Sequence, residues 1–197
     1  MNQLTDITLA TEQLLRDLIT TYTCDPDQVE LEVKEHPGRV VWKLKVSAAD
    51  MPLLCGKQGT HSKALLFLAG EIGKNADKFY AFTILDPEPG PSGEKKNLEP
   101  AATYDPDPAR ELLERLLSAL GVGEFSVQHE PRGRHADGRL ENDFVIYVRD
   151  DDDYRLLTVP TTVERDAQPI ITAIGTLYRA AANKQGVRCH VQVTKVP

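Results

Sequence analysis

The 197-residue chain has no apolar run near the ~20 residues a membrane span requires. Its opening residues, MNQLTDITLATEQLL, lack a basic segment followed by an apolar core, so no secretory signal is expected. Cysteine is scarce: Cys24, Cys55 and Cys189 stand far apart, and none sits in a CxxC or other ligand spacing. That excludes a zinc ribbon and a disulfide framework, and suits reduced thiols in a cytoplasmic protein. No metal or other cofactor is expected. Positive charge is also in deficit, since 23 Lys and Arg face 30 Asp and Glu for a net charge of −7. Nonspecific attraction to a polyanion is therefore excluded, and any nucleic-acid site must be a local patch. The sequence holds no nucleophile triad, paired carboxylates or nucleotide-binding signature, so a noncatalytic role is expected.

What is present is a duplicated pattern. Residues 86–108, DPEPGPSGEKKNLEPAATYDPDP, carry six of the thirteen prolines and no hydrophobic periodicity. They read as a boundary, with a connector over 88–107 between domains 1–87 and 108–197. Leu14, Leu15, Leu18 and Ile19 recur on one helical face in the first half, and Leu112, Leu113, Leu116 and Leu117 do so in the second. Pro108 suits the first helical turn. Each helix leads to a short alternating run, VELEV (29–33) or EFSVQ (124–128), and then through HPGR or PRGRHADGRLEN to a second strand. Those strands are VVWKLKV (40–46) and FVIYVR (144–149). DMPLL and DYRLL follow, then the helical runs KALLFLAGEIGKN and PIITAIGTLYRAAAN, then the strands FYAFTIL and VRCHVQV. Each half predicts the order α-β-β-α-α-β, an internal duplication.

Between the two later helices of the first half stands Gly56-Lys57-Gln58-Gly59. A turn there exposes unpaired N–H groups at the next helix's N-terminus, which with the helix dipole favour an anion. The glycines let a sugar-phosphate backbone approach the main chain, Lys57 adds a charge, and Gln58 adds a donor or acceptor. Lys43 and Lys45 alternate with Trp42 and Leu44, so both lysines share one side of their strand, groove or solvent.

This order, with Asp50-Met51, Leu53-Leu54-Cys55, Gly56-Lys57-Gln58-Gly59 and Lys63-Ala64-Leu65, resembles the type II KH domain, most closely the small bacterial single-KH RNA-binding proteins. The likeness runs from about Thr11 to Leu85. It implies an α/β (α+β) fold of two tandem type II KH-like modules, each a three-stranded mixed sheet packed on helices. It also implies single-stranded RNA as the partner, its backbone clamped by the loop and its bases in an apolar groove. On that carry-over the RNA-binding residues are Gly56, Lys57, Gln58, Gly59, Thr60, His61, Lys63, Lys43 and Lys45. The groove wall comes from Leu53, Leu54, Cys55, the helix around Lys63 and strand 40–46. Where that family usually has an arginine directly after the loop, this chain has Thr60-His61.

The second half has TVPTTVERD (158–166) at the corresponding place, with no glycine, so it keeps the fold without this binding mode. Its expected role is support, self-association or recruitment of a protein partner. A protein-interaction scaffold in which neither module binds RNA is the alternative. Several other features are assigned to structure first. Asp150 to Asp153 reads as a solvated acidic turn, Cys55 as a core thiol and Trp42 as packing. His61 is left open between an RNA contact and an ordinary exposed histidine. Arg132, Arg134, His135 and Arg139 read as a mobile hairpin loop, with contact to RNA or a partner as the other option.

Overall fold

A computed structural model describes residues 6–85, 100–160 and 168–196. The chain divides into two compact units, Met1–Lys96 and Asn97–Pro197. The first contains α1 (Asp6–Thr20), β1 (Glu30–His36), β2 (Arg39–Lys45), α2 (Met51–Cys55), α3 (Thr60–Asn75) and β3 (Phe79–Ile84). The second contains α4 (Asp107–Ala119), β4 (Phe125–Arg134), β5 (Leu140–Val148), α5 (Asp151–Thr158), α6 (Ile170–Lys184) and β6 (Arg188–Lys195). Each unit has one three-stranded mixed sheet with the strands in chain order. In both, the first pair is antiparallel and the second parallel, the two later helices making the crossover. The expected pair of α/β modules is therefore present.

In the first unit α1 buries Leu14, Leu15, Leu18 and Ile19, the face that the sequence pattern marked. Against the helices the sheet sets Val40, Trp42 and Leu44 from β2, all fully buried. The intervening Val41, Lys43 and Lys45 are only partly covered, so they lie on the sheet's outer face. β1 and β2 are joined through Pro37-Gly38, where Gly38 takes φ +68°. Proline followed by a residue in the left-handed region is the chemistry of a tight turn.

One buried carboxylate pins the entry to the later helices. Asp50, with no exposed surface, accepts from the Cys24 N–H at 2.5 Å, the Asp25 N–H at 3.0 Å and the Ser47 hydroxyl at 3.1 Å. It thus ties the chain leaving α1 to the start of α2. The sequence marked Asp50 only as half of an Asp-Met pair. Hydrogen bonds to an ionised acceptor are the stronger kind, and deletion leaves two main-chain donors without a partner. Asp50→Ala is expected to destabilise the protein by about 2–4 kcal/mol, read as a lowered midpoint in urea. A loss below ~1 kcal/mol would show that solvent replaces the carboxylate.

The second unit repeats the plan with changes. Leu112, Leu113, Leu116 and Leu117 are buried, and α4 starts at Asp107, with Pro108 in its first turn. Of the predicted connector, residues 88–99 lie outside those described. Part of the remainder packs on the second unit: the Ala101 N–H donates to the Gly186 carbonyl at 3.3 Å. Tyr104 brings its ring within 6.3 Å of His129. The acidic run is no free turn. Asp150 caps α5, accepting from the Asp152 and Asp153 N–H groups, and Asp151 to Asp153 form the first helical turn. Carboxylates there satisfy orphan donors and interact favourably with the positive end of the helix dipole.

The three thiols occupy different environments. Cys24 is exposed, Cys55 is half-buried with its Sγ 3.6 Å from the Met51 sulfur, and Cys189 is buried. Burial, with Asp143 nearby, pushes the Cys189 thiol up to about 12. A raised acid contributes stability below the unfolded thiol's pKa of about 8.5, and that contribution fades as pH climbs towards 12. A maleimide is expected to label Cys24 in the native protein and spare Cys189. The second unit is expected to lose stability from pH 9 upwards, less steeply in Cys189→Ala. Rapid labelling of Cys189 in the folded chain would contradict this.

Candidate nucleic-acid interface

The loop between α2 and α3 is built from three residues in the left-handed region. Gly56, capping α2, takes φ +67° and ψ 179°, and its N–H donates to the Pro52 carbonyl at 2.9 Å. Lys57 to Gly59 form one 3-10 turn, in which Gln58 sits at φ +56°, ψ +28° and Gly59 at φ +77°, ψ +19°. The turn closes through the Gly59 N–H to the Gly56 carbonyl at 3.3 Å and the Thr60 N–H to the Lys57 carbonyl. Gln58 is one of two non-glycine residues with positive φ among those described. Such a conformation costs a side-chain-bearing residue about 1–2 kcal/mol and persists where the surroundings enforce it.

α3 then starts with its N-terminus open. Gly59 occupies the N-cap position and supplies no side-chain cap, and the first turn holds no acidic residue. Lys57, Gln58, Thr60 and Lys63 are exposed around that end, while Gly56, Gly59 and His61 are half-buried. Ser62 turns its hydroxyl back to donate to the Gly59 carbonyl at 3.1 Å. An uncapped helix N-terminus with its positive dipole end and two exposed lysines beside it suit an anion.

His61 is committed elsewhere. Its Nδ1 lies 2.7 Å from the Leu53 carbonyl, so Nδ1 carries the hydrogen and donates. Its ring meets Tyr22 edge-on at 6.3 Å. Of the proposed groove wall, Leu54 is fully buried in the core, whereas Leu53 is 37% exposed and Cys55 half-buried.

Lys43 and Lys45 are not part of this cluster. They stand on the outer face of the sheet, opposite Glu32 and Glu30 in register, and Lys43 approaches Glu32 at 3.9 Å. The helices pack on the other face, over Trp42. Lys34 and Lys43 hold the exposed Glu32 carboxyl below its usual range. The structure thus gathers Gly56, Lys57, Gln58, Gly59, Thr60, His61 and Lys63 at one end of α3 and sets the two strand lysines apart.

The N-terminal part of the chain is similar to RNA-binding proteins. It is 29% identical over 75 residues to the RNA-binding protein KhpA of Listeria monocytogenes and to that of Listeria innocua. The alignment takes in 99% of each relative and 38% of this chain. No protein-family model matches the chain.

The second unit differs at the corresponding places. Residues 161–167 of the TVPTTVERD segment lie outside those described. The helix that follows, α6, has Pro169 at its N-cap position and buries Ile170 completely. Where α3 begins with exposed polar groups, α6 begins with an apolar plug. The basic segment, expected as a hairpin loop, lies in the hairpin between β4 and β5, with a bulge between Pro131 and Gly133. Its charges are taken up internally. Asp137 accepts from Arg139 at 2.7 and 2.9 Å and from Arg188 at 2.8 and 3.1 Å, and these arginines hold its carboxyl well below the usual range. Arg132 reaches Asp143 at 2.8 Å and Arg134 the Gly138 carbonyl at 2.8 Å, while His135 faces Asp137 at 3.2 Å.

Among the described residues no helix is long and apolar enough to cross a membrane.

Proposed function

We propose that the first unit is a KH-like module that binds single-stranded RNA without catalysis, gripping the sugar-phosphate backbone at Gly56-Lys57-Gln58-Gly59 and the start of α3. The observation that carries this reading is the loop: a strained three-residue reversal that opens an uncapped helix N-terminus between two exposed lysines. The similarity of this part of the chain to proteins named as RNA-binding agrees with it. KH modules use such a loop to hold about four backbone nucleotides. Leu53, half-exposed beside the loop, offers apolar surface for a base. The second unit takes a supporting role, orienting the first or mediating self-association, and among its described residues the hairpin arginines are paired within the unit.

The test is a titration of labelled single-stranded RNA, with duplex RNA of equal length as the comparison. Preferential binding of the single strand is expected. Two phosphate contacts, at Lys57 and Lys63, give a salt slope of about −1.4 at ~0.7 per contact. Absence of single-strand binding at low salt would sink the proposal. The net charge of −7 favours one other reading, a protein-interaction scaffold. Partners that stay bound in a pull-down after nuclease treatment would support the scaffold, and their loss would count against it.

A further inference from the structure

Gly56, Leu53 and Tyr22 converge on one side chain. A Cβ built on Gly56 would lie 2.6 Å from Cγ of the His61 ring and 2.8 Å from Cδ2 and Nδ1, so ring and main chain are in direct contact. The His61 Nδ1–H occupies the Leu53 carbonyl at 2.7 Å. Leu53 lies in the last turn of α2, where carbonyls lose their in-helix partners. Tyr22, buried beyond the end of α1, meets the ring from a third direction. One imidazole therefore joins the end of α1, the last turn of α2 and the first residue of the loop.

We infer that His61 is a positioning residue for the loop: a latch that holds Gly56-Lys57-Gln58-Gly59 in its strained reversal before RNA arrives. The inference rests on the RNA-binding reading of that loop. Gln58, a residue with a Cβ held at φ +56°, puts the loop in a conformation that it seldom visits when free. A loop ordered only on binding loses affinity by the cost of that ordering, and a preordered one does not. The latch acts through geometry and not through charge. The ring nitrogen nearest the loop is already donating, to protein and not to solvent. This accounts for a histidine where a plain phosphate contact would call for a long cation. It also gives Gly56 a packing reason to be glycine beyond its φ of +67°, because any side chain there would drive the ring out.

The discriminating variants are His61→Ala, which deletes the donor, and His61→Asn, whose Nδ2 stands where Nδ1 stood. Two readouts are taken on the full chain. Amide exchange at residues 56–60 is expected to rise about tenfold in His61→Ala and to stay near the parent in His61→Asn. Single-stranded RNA affinity is expected to fall about tenfold in His61→Ala, with the salt slope unchanged and with recovery in His61→Asn. A phosphate contact made by His61 itself would instead make the slope shallower by about 0.7, which overturns the inference. Unchanged exchange in His61→Ala overturns it as well, and so does unchanged affinity in spite of faster exchange. Should the parent bind no RNA, the functional reading fails by that result alone, and the exchange arm still decides whether His61 holds the loop.

Discussion

Trp42→Ala is expected to destabilise the first unit by about 3–5 kcal/mol. The indole is fully buried at the centre of β2, with Val40 and Leu44 on the same face. Its ring centroid lies 4.8 Å from that of Tyr80 and 6.1 Å from that of Phe82, its neighbours on β3. Truncation removes the transfer free energy of a large aromatic and leaves a cavity that the sheet cannot close, since β2 is paired on both edges. Trp42→Phe should cost much less, below about 2 kcal/mol. The indole Nε1–H is buried and finds no acceptor among the described residues, so phenylalanine also removes an unsatisfied donor. As Trp42 is the sole tryptophan, unfolding is followed by far-UV circular dichroism and by amide exchange in β2. A loss of under 1 kcal/mol for Trp42→Ala would mean that the first unit's core does not centre on this strand.

Much of this core was readable in the chain. The leucine pairs at 14–15 and 18, and at 112–113 and 116–117, recur at helical spacing and are buried, and the alternation through Trp42 marked one strand face as apolar. Such patterns report burial directly, because period decides which side chains share a face. The acidic run was misjudged although its signal was present: aspartate at the head of an amphipathic helix is a cap before it is a solvated turn. Other features depend on partners far away in sequence, which period cannot supply. Alternation put Lys43 and Lys45 together, yet only the packing of α1 and α3 decides that their side faces away from the helices. The hairpin arginines look like a loose cluster until Asp137 and Asp143 are seen to occupy them. Nothing in the letters GKQGTH shows that Gln58 is left-handed or that His61 points back to Leu53. The glycine pair was legible as a loop, but its reason was half visible: Gly56 serves the His61 contact as well as an approach by phosphate.

That last point decides which variant should test the loop. Acidic residues at Gly56 or Gly59 would confound charge with conformation, since Gly56 has φ +67° and touches the His61 ring, and Gly59 has φ +77°. Lys57→Asp with Gln58→Asp changes only exposed side chains, and aspartate tolerates the left-handed region better than most residues. The pair shifts the local charge by three units beside the start of α3, where a bound phosphate would sit. Loss of one charged contact and the added repulsion are expected to weaken single-stranded RNA binding by about 100-fold, some 2.7 kcal/mol. Folding stability should move little, or rise slightly, because carboxylates near a helix N-terminus interact well with its dipole. Opposite signs in the two measurements separate a lost binding site from a damaged fold. The matching control is Lys43→Glu with Lys45→Glu on the outer sheet face, a larger charge change of four units placed away from the helices. Its RNA affinity should stay within about threefold of the parent at 0.15 M salt, where charges beyond ~8 Å are largely screened. If this control abolishes binding and the loop variant does not, the RNA surface is the sheet and not the loop.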